Sequence, residues 1–344
     1  MWQSEPILRF FPTWVVLHTG PSEHCGGIRH ADLVREMILA ALKAGLENNF
    51  KADLKLMNST MKEMRFTSKV FSPYKNVQKV TVFGSARTKP TERLYSMARD
   101  LGQALAEAGY MVITGGGPGI MQAANEGAGS DCSFGVNIRL PYEQKSNDVV
   151  KGSPRDITYK YFFNRKVAFL KEADAVVLFP GGFGTMDEAM ETLTLLQNGK
   201  LYPLPLILMD EPGGTYWDNW IDFVSHELLA RGNIDKTDFH LFKQLGSSQD
   251  VVRVIDTFYH RYHSLRYVNG KLIIRLTSTP SSEKVQELNQ GFADILVPNG
   301  TIKLSGTMDC ELDEPEIIHL PRLALDFNRR DFGRLHQLID CINE

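Results

Sequence analysis

An apolar strand pattern, a glycine-rich turn and a helix pattern follow one another directly near the middle of the chain, and this order constrains the fold more than any other feature. The apolar run 175–179 precedes Pro180-Gly181-Gly182-Phe183-Gly184-Thr185, and a helical pattern covers 189–196. Glycines let the backbone approach a ligand closely, and the first free N–H groups of a helix point into such a turn. The order therefore predicts an anion site at a helix N-terminus, with the acid Glu188 close by.

Two further glycine turns each follow a short apolar strand pattern. Gly84-Ser85 follows residues 79–83, and Gly115-Gly116-Gly117-Pro118-Gly119 follows residues 111–114. A helix is predicted at 92–108, between the first two strands. Further strands are predicted at 134–138, 175–179 and 206–209, with helical segments between them. Fully apolar strands alternating with helices predict an α/β fold with a Rossmann-like, doubly wound parallel sheet.

The carboxyl ends of parallel strands share one edge of the sheet, so the three glycine turns are expected to line one cleft. The residues predicted to bind phosphate or nucleotide are Gly84, Ser85, Gly116, Gly117, Gly119, Gly181, Gly182, Gly184 and Thr185. A dinucleotide site fits less well, because the Gly115 turn has Ile120 where G-x-G-x-x-G needs its third glycine, and no acid ends the next strand. A Walker A loop is absent from the sequence.

The rest of the chain surrounds this central region. Residues 1–76 are predicted to form a helical N-terminal extension, residues 77–264 the Rossmann-like nucleotide-binding domain, and residues 265–344 a small α+β appendage. Within the appendage we expect a strand at 267–276, a helix at 282–291, a hairpin around Asn299-Gly300, a strand at 317–327 and a helix at 332–342.

Composition excludes several classes of function. The net charge is −3 and the basic residues are scattered, which argues against nucleic acid as the main partner. The four cysteines form neither a Cys-x-x-Cys pair nor a disulfide framework, and no apolar run approaches a membrane span. The N-terminal residues lack the pattern of a signal peptide. We therefore expect a cytoplasmic protein without a metal site.

Glu188 and Arg165 are the candidate catalytic residues, and each has an ordinary structural alternative. Thr185-Met186-Asp187-Glu188 matches a capping box, in which Glu188 would only bond the Thr185 N–H group. The three glycines favour a functional role, since a simple cap does not need them. Arg165 lies in an apolar segment and, if buried, needs an acidic or phosphate partner; otherwise it extends to solvent. Lys166 is predicted to be solvated or structural.

The turn through Glu188 is similar to the PGGxGTxxE signature of the LONELY GUY family of nucleoside 5′-monophosphate phosphoribohydrolases, also labelled lysine decarboxylases. Asn164-Arg165-Lys166 resembles the arginine–lysine element that precedes this signature, and the turns at Gly84 and Gly115 resemble the two earlier ligand loops. The resemblance covers roughly residues 78–260.

The resemblance implies a hydrolase that cleaves the N-glycosidic bond of a nucleoside 5′-monophosphate, either a cytokinin nucleotide or a purine or pyrimidine nucleotide such as AMP. It implies Arg165 and Glu188 as the catalytic pair, no cofactor, and a homodimer or higher homo-oligomer. The alternative is a non-catalytic nucleotide or molybdopterin-cofactor carrier with similar glycine loops.

Overall fold

The computed structural model describes residues 30–140, 146–312 and 314–344. By its internal packing the chain divides into two units, residues 1–62 and 63–344. The helices, in chain order, are α1 (Ala31–Glu47), α2 (Lys51–Phe71), α3 (Arg93–Glu107), α4 (Ile120–Ala128), α5 (Phe162–Lys171), α6 (Phe183–Gln197), α7 (Tyr216–Phe223), α8 (Ser248–Phe258), α9 (Ser282–Gly291) and α10 (Phe332–Asn343). The domain boundaries at 76/77 and 264/265 stay predictions.

A seven-stranded parallel sheet forms the centre of the second unit. Its strands are β1 (Lys79–Phe83), β2 (Met111–Thr114), β3 (Ser133–Ile138), β4 (Asp156–Tyr159), β5 (Ala175–Leu178), β6 (Leu206–Met209) and β7 (Lys243–Leu245), in the spatial order β4-β3-β2-β1-β5-β6-β7. The predicted Rossmann-like α/β fold is therefore confirmed. The edge strands β4 and β7 were not predicted, because they are short and only partly buried, so they lack a continuous apolar run.

Two apolar clusters fill the spaces on the two faces of this sheet. Adjacent residues of one strand belong to different clusters: Val176 is in the cluster that contains Phe134 and Trp217, whereas Val177 is in the cluster that contains Leu101 and Ile120. Successive side chains of a strand point to opposite faces, so a strand covered on both faces must be apolar at every position. This is why β5 and β6 are unbroken apolar runs.

The direction in which the sheet grows reverses between β1 and β5. From β1 the chain adds β2, β3 and β4 on one side, then returns to add β5, β6 and β7 on the other. Thr81 in β1 pairs with Ile113 in β2 and with Val176 in β5, so these three strands end side by side. Ligands of open α/β sheets bind at such a reversal, beyond the carboxyl ends of the strands.

The C-terminal region forms a second, antiparallel sheet with the order β10-β11-β9-β8. Its strands are β8 (Tyr262–Val268), β9 (Lys271–Leu276), β10 (Ile302–Ser305) and β11 (Arg322–Leu325). Helices α9 and α10 pack on it through apolar side chains such as Leu288, Leu335 and Ile339. The α+β character expected here is present, although two of its elements differ from the prediction.

The strand predicted at 267–276 is wrong, because the segment contains a hairpin. Asn269 and Gly270 both have positive φ angles, 49° and 86°, and turn β8 back onto β9. The hairpin predicted around Asn299-Gly300 is also wrong. There the Gly300 N–H group donates to Val297 O and closes a turn, while β10 pairs with the distant β11.

Among the residues that the structure describes, no helix combines the length and apolar character needed to cross a bilayer.

Candidate active site

The three glycine turns meet at the reversal of the sheet, with Ser85 between the other two. The Ser85 N–H group donates to Pro180 O at 3.1 Å, and the Ile120 N–H group donates to Ser85 O at 3.0 Å. The turn after β1 is thus bonded to the turn after β5 on one side and to the start of α4 on the other. The predicted convergence of the three turns is present in the structure.

Several glycines are required because the turns touch one another. A Cβ atom on Gly119, whose φ angle is 70°, would lie 2.2 Å from Ser85 O. A Cβ atom on Gly84 would lie 2.6 Å from Cγ2 of Ile120, and one on Gly181 would lie 2.1 Å from Oγ1 of Thr185. Real Cβ atoms do not approach other atoms so closely, so any side chain here would separate the turns.

Gly182 and Gly184 differ from those glycines. A Cβ atom on either residue would have no neighbour within 4 Å. Neither residue needs a positive φ angle, since neither is among the glycines that have one. The space beside these two residues is therefore open, and neither backbone N–H group donates a hydrogen bond to another described backbone group.

The capping-box interpretation of Glu188 is wrong. Helix α6 begins at Phe183 with Gly182 as its N-cap, so Thr185 is already inside the helix, and its N–H group donates to Gly182 O at 3.0 Å. A capping box needs the threonine at the N-cap position. Glu188 is consequently not used for capping.

Glu188 is a buried carboxylate with an incomplete set of partners. Its side chain is only 7% exposed, and its Oε2 atom accepts no hydrogen bond within the described residues. Burial raises the pKa of Glu188 to about 7, although the positive charges of Lys166 and Arg165 oppose this shift. A carboxyl group with this pKa can exchange a proton near neutral pH.

Arg165 is directed into the protein from α5. Its Nε atom donates to Val136 O at 2.8 Å, and its guanidinium carbon lies 4.9 Å from the centre of the Phe169 ring. Its Nη2 atom lies so close to Gly115 that a Cβ atom there would be 2.5 Å away. Burial lowers the pKa of Arg165, and the charge of Glu188 opposes this. The solvent-exposed alternative is therefore wrong, because the guanidinium reaches the second glycine turn.

Lys166 contacts three carboxylates on α6, so of its two predicted roles, solvated or structural, the structure favours the structural one. Its Nζ atom lies 2.9 Å from Asp187 Oδ2, 3.5 Å from Glu188 Oε2 and 2.5 Å from Glu191 Oε2. Burial lowers its pKa, but the hydrogen bonds to Glu191 and Asp187 outweigh burial and raise the pKa above its ordinary value. The only sequence signal was the cluster of acids at 187, 188 and 191, which requires a cation nearby.

A buried polar network that the sequence analysis missed supports the turn after β2. Thr114 Oγ1 donates to Asn125 Oδ1 at 2.7 Å and accepts from the Gly116 N–H group at 3.0 Å. Asn147 Nδ2 donates to Gly117 O at 3.1 Å. These side chains hold the carbonyl and amide groups of the turn in fixed directions, so the turn presents a preorganised backbone surface.

A tyrosine supports the turn after β5 in a similar way. The Tyr216 hydroxyl donates to Gly181 O at 2.7 Å, and the Tyr216 N–H group donates to Asp210 Oδ2 at 3.1 Å.

Over residues 30–140, 146–312 and 314–344, no group of three His, Cys, Asp or Glu side chains is arranged to hold a metal ion.

Comparison with known proteins connects these features to a family. Residues 111–255 match the family model described as possible lysine decarboxylase. A cytokinin riboside 5′-monophosphate phosphoribohydrolase of Arabidopsis thaliana is 27% identical over 101 residues, which cover 29% of this chain and 46% of that protein. The chain thus spans about half the length of this relative. A second such protein of the same plant is 25% identical over 187 residues, covering 53% of this chain and 83% of its own length.

A solved structure, the molybdenum cofactor carrier protein of Chlamydomonas reinhardtii, has a TM-score of 0.36 and 21% identity, covering 52% of this chain and 96% of that one. The matched range 111–255 contains the Gly115 turn, Arg165, and the glycine turn that ends in Glu188. The turn after β1 lies outside this range but is bonded to both of the other turns. Over this range the chain is similar to proteins of the LONELY GUY family.

Proposed function

We propose that this protein hydrolyses the N-glycosidic bond of nucleoside 5′-monophosphates, releasing the free base and ribose 5-phosphate. The observation that carries the proposal is Glu188, a buried carboxylate with a pKa of about 7. Its Oε2 atom accepts no hydrogen bond from the described residues, and space is open beside Gly182 and Gly184 at the start of its helix. The relatives that carry the name phosphoribohydrolase support the same class of reaction.

The 5′-phosphate would bind at the start of α6. The helix N-terminus has free N–H groups and a partial positive charge, which together favour a phosphate. The open space at Gly182 and Gly184 lets phosphate oxygens approach these N–H groups, and Thr185 lies in the same turn. Phosphate binding away from the reacting bond would align the ribose for the chemical step.

Glu188 would act on the ribose. Cleavage of a glycosidic bond passes through an oxocarbenium-like state with positive charge on the sugar. An ionised Glu188 stabilises this charge or accepts a proton from the water molecule that attacks C1′, while the base leaves with the electrons of the broken C–N bond and takes up a proton. General acid–base catalysis of this kind contributes about 10²–10⁴-fold in rate.

Arg165 and Lys166 would position the reacting groups. Arg165 reaches the second glycine turn and contributes positive charge to Glu188, so it is suited to hold the substrate or to assist departure of the base. Lys166 contacts Glu188 directly and favours its ionised form. Both cations lie on one helix, α5, and the charge of each favours the ionised form of Glu188.

A second subunit is part of the proposal. Phe162, Phe163 and Val167 on α5 are exposed, and Phe183 at the start of α6 is 96% exposed. Such large apolar side chains beside a site are typical of surfaces covered by a partner. We propose that a homodimer, or a larger homo-oligomer, covers this surface. The preferred base and the cytoplasmic location stay predictions.

The test is to incubate the protein separately with AMP, GMP, CMP and isopentenyladenosine monophosphate and to measure released base and ribose 5-phosphate. We expect both products in equal amounts from at least one nucleotide, and their loss in the Glu188→Gln variant. The comparison among the four also separates a cytokinin nucleotide from ordinary nucleotides. If none releases its base while the protein retains a bound nucleotide, the alternative of a carrier is favoured.

A further inference from the structure

A cavity of about 600 Å³ lies away from the glycine turns, between the end of α6 and the antiparallel sheet. Residues 199–203, which follow α6, form one wall, while β8, β9 and the start of α10 form the others. Its size is within the range of small-molecule sites, which is about 300–1,000 Å³. The lining residues that could recognise a ligand are Lys200, Tyr202, Arg266, Tyr267, Arg275 and Glu314.

The charged side chains of the lining have a surplus of positive charge. Lys200, Arg266 and Arg275 are cationic, and Glu314 is the acid that lines the cavity with them. Behind Arg275 lies Glu311, whose buried carboxylate accepts hydrogen bonds from Arg275 at 2.6 and 2.9 Å and from Arg322 at 2.8 Å. Because the positive charge of Arg322 compensates the negative charge of Glu311, the net charge of the cavity lining stays positive.

The two arginines of the lining differ in their partners: Arg275 bonds to buried groups, whereas Arg266 pairs with the partly exposed Glu314. Arg275 is held on both sides, since its Nη1 atom also donates to Ser264 Oγ at 3.1 Å. Arg266 is partly exposed, and its Nη1 atom donates to Glu314 Oε1 at 3.0 Å. The partly exposed carboxylate of Glu314 occupies the place at which the anionic group of a ligand would pair with Arg266.

Two tyrosine rings stand beside these cations. Tyr202 is 65% exposed and Tyr267 is 39% exposed, so both rings have free surface. The Arg329 guanidinium carbon lies 4.6 Å from the centre of the Tyr267 ring, which adds a further cation at this edge of the cavity. Aromatic side chains next to cations are suited to a ligand that combines a flat ring with a phosphate.

We propose that this cavity is a second ligand site, distinct from the glycine turns, and that it takes a phosphorylated ring compound of the nucleotide class. Lys200 and Arg266 bind the phosphate, and Tyr202 and Tyr267 contact the ring. The site adjoins the helix that carries Glu188: Gly199 comes two residues after the end of that helix, and a Cβ atom on Gly199 would lie 2.2 Å from the Phe332 ring at the start of α10. A ligand here therefore contacts the loop that ends α6.

The experiment is a calorimetric titration of the full chain with GDP and, separately, with inorganic pyrophosphate. We expect the affinity for both probes to fall at least tenfold in a double variant, Lys200→Gln with Arg266→Gln. Tyr202→Ala is expected to weaken GDP but not pyrophosphate, because it removes only the ring contact. The matched control is Lys303→Gln, which removes an exposed lysine of the same antiparallel sheet and should leave both affinities unchanged.

Two results would overturn the proposal. One is the absence of any binding of either probe at millimolar concentration. The other is binding that the double variant retains and that Gly184→Ala abolishes, which would assign the ligand to the glycine turns. Thermal unfolding of each variant verifies that it is folded. The titration of Tyr202→Ala tests the site without disturbing the Arg266–Glu314 ion pair. None of these measurements uses base release, so their outcome does not depend on whether the protein hydrolyses nucleotides.

Discussion

Replacing Lys166 with glutamine tests whether the ionised form of Glu188 is the active one. The Nζ atom of Lys166 lies 3.5 Å from Glu188 Oε2. At this distance two unit charges interact by about 1 kcal/mol with the screening of bulk water and by about 5 kcal/mol with an effective dielectric constant of about 20. Removing the lysine charge therefore raises the pKa of Glu188 by at least about one unit.

The other charges around Glu188 act in the same direction. Asp187 and Glu191 lose the cation that they share with Glu188, and their negative charges then oppose its ionisation more strongly. Arg165 remains as the other cation near Glu188. With the pKa of Glu188 at about 7 in the parent protein, a rise of one unit lowers its ionised fraction at pH 7 from about one half to about one tenth.

The assay is the pH dependence of kcat/KM for base release from the best nucleotide. We expect the acidic limb of the profile to move to higher pH in Lys166→Gln, with about a fivefold loss at pH 7 that disappears in more alkaline buffer. Lys166→Arg keeps the charge and should keep the limb in place. Lys171→Gln on the same helix, whose lysine pairs with Glu172, is the control. An unmoved acidic limb in Lys166→Gln would refute the reasoning.

Three further predictions concern the same site. Glu188→Gln should lose about 10²–10⁴-fold in activity yet unfold at a higher temperature than the parent at pH 8. A carboxyl whose folded pKa is raised stabilises the fold below its ordinary pKa of 4.5, and this contribution is lost as the pH rises through about 7. A difference in melting temperature between variant and parent that is the same at pH 5 and at pH 8 would contradict this. Gly184→Ala should remain folded and raise KM for the nucleotide, whereas Gly119→Ala should lower the melting temperature, since only the latter Cβ atom collides with Ser85 O. Phe183→Glu should convert the proposed dimer to monomers in light scattering, and an unchanged mass would place the subunit contact elsewhere.

The C-terminal region illustrates why local sequence can mislead. Asn269-Gly270 and Asn299-Gly300 are the same dipeptide, yet only the first connects two paired strands. Asn299 also has a positive φ angle, 61°, but the residues before it form a helical turn, and β10 pairs instead with residues about twenty positions further along the chain. The same dipeptide thus takes two conformations, since Gly270 has a positive φ angle and Gly300 does not, and the pairing depends on which distant strand covers the apolar face.

The sequence alone was sufficient to predict the parallel sheet, its central strands and the meeting of three glycine turns, because apolar strand runs and glycine positions are local signals that imply a common sheet edge. Only the tertiary structure showed which charged residues are buried and which ions they contact. Whether Glu188 caps α6 depends on the residue at which that helix begins, and whether Lys166 faces solvent or three carboxylates depends on how α5 packs beside α6. That packing sets burial and charge separation, and these two quantities determine the pKa of Glu188.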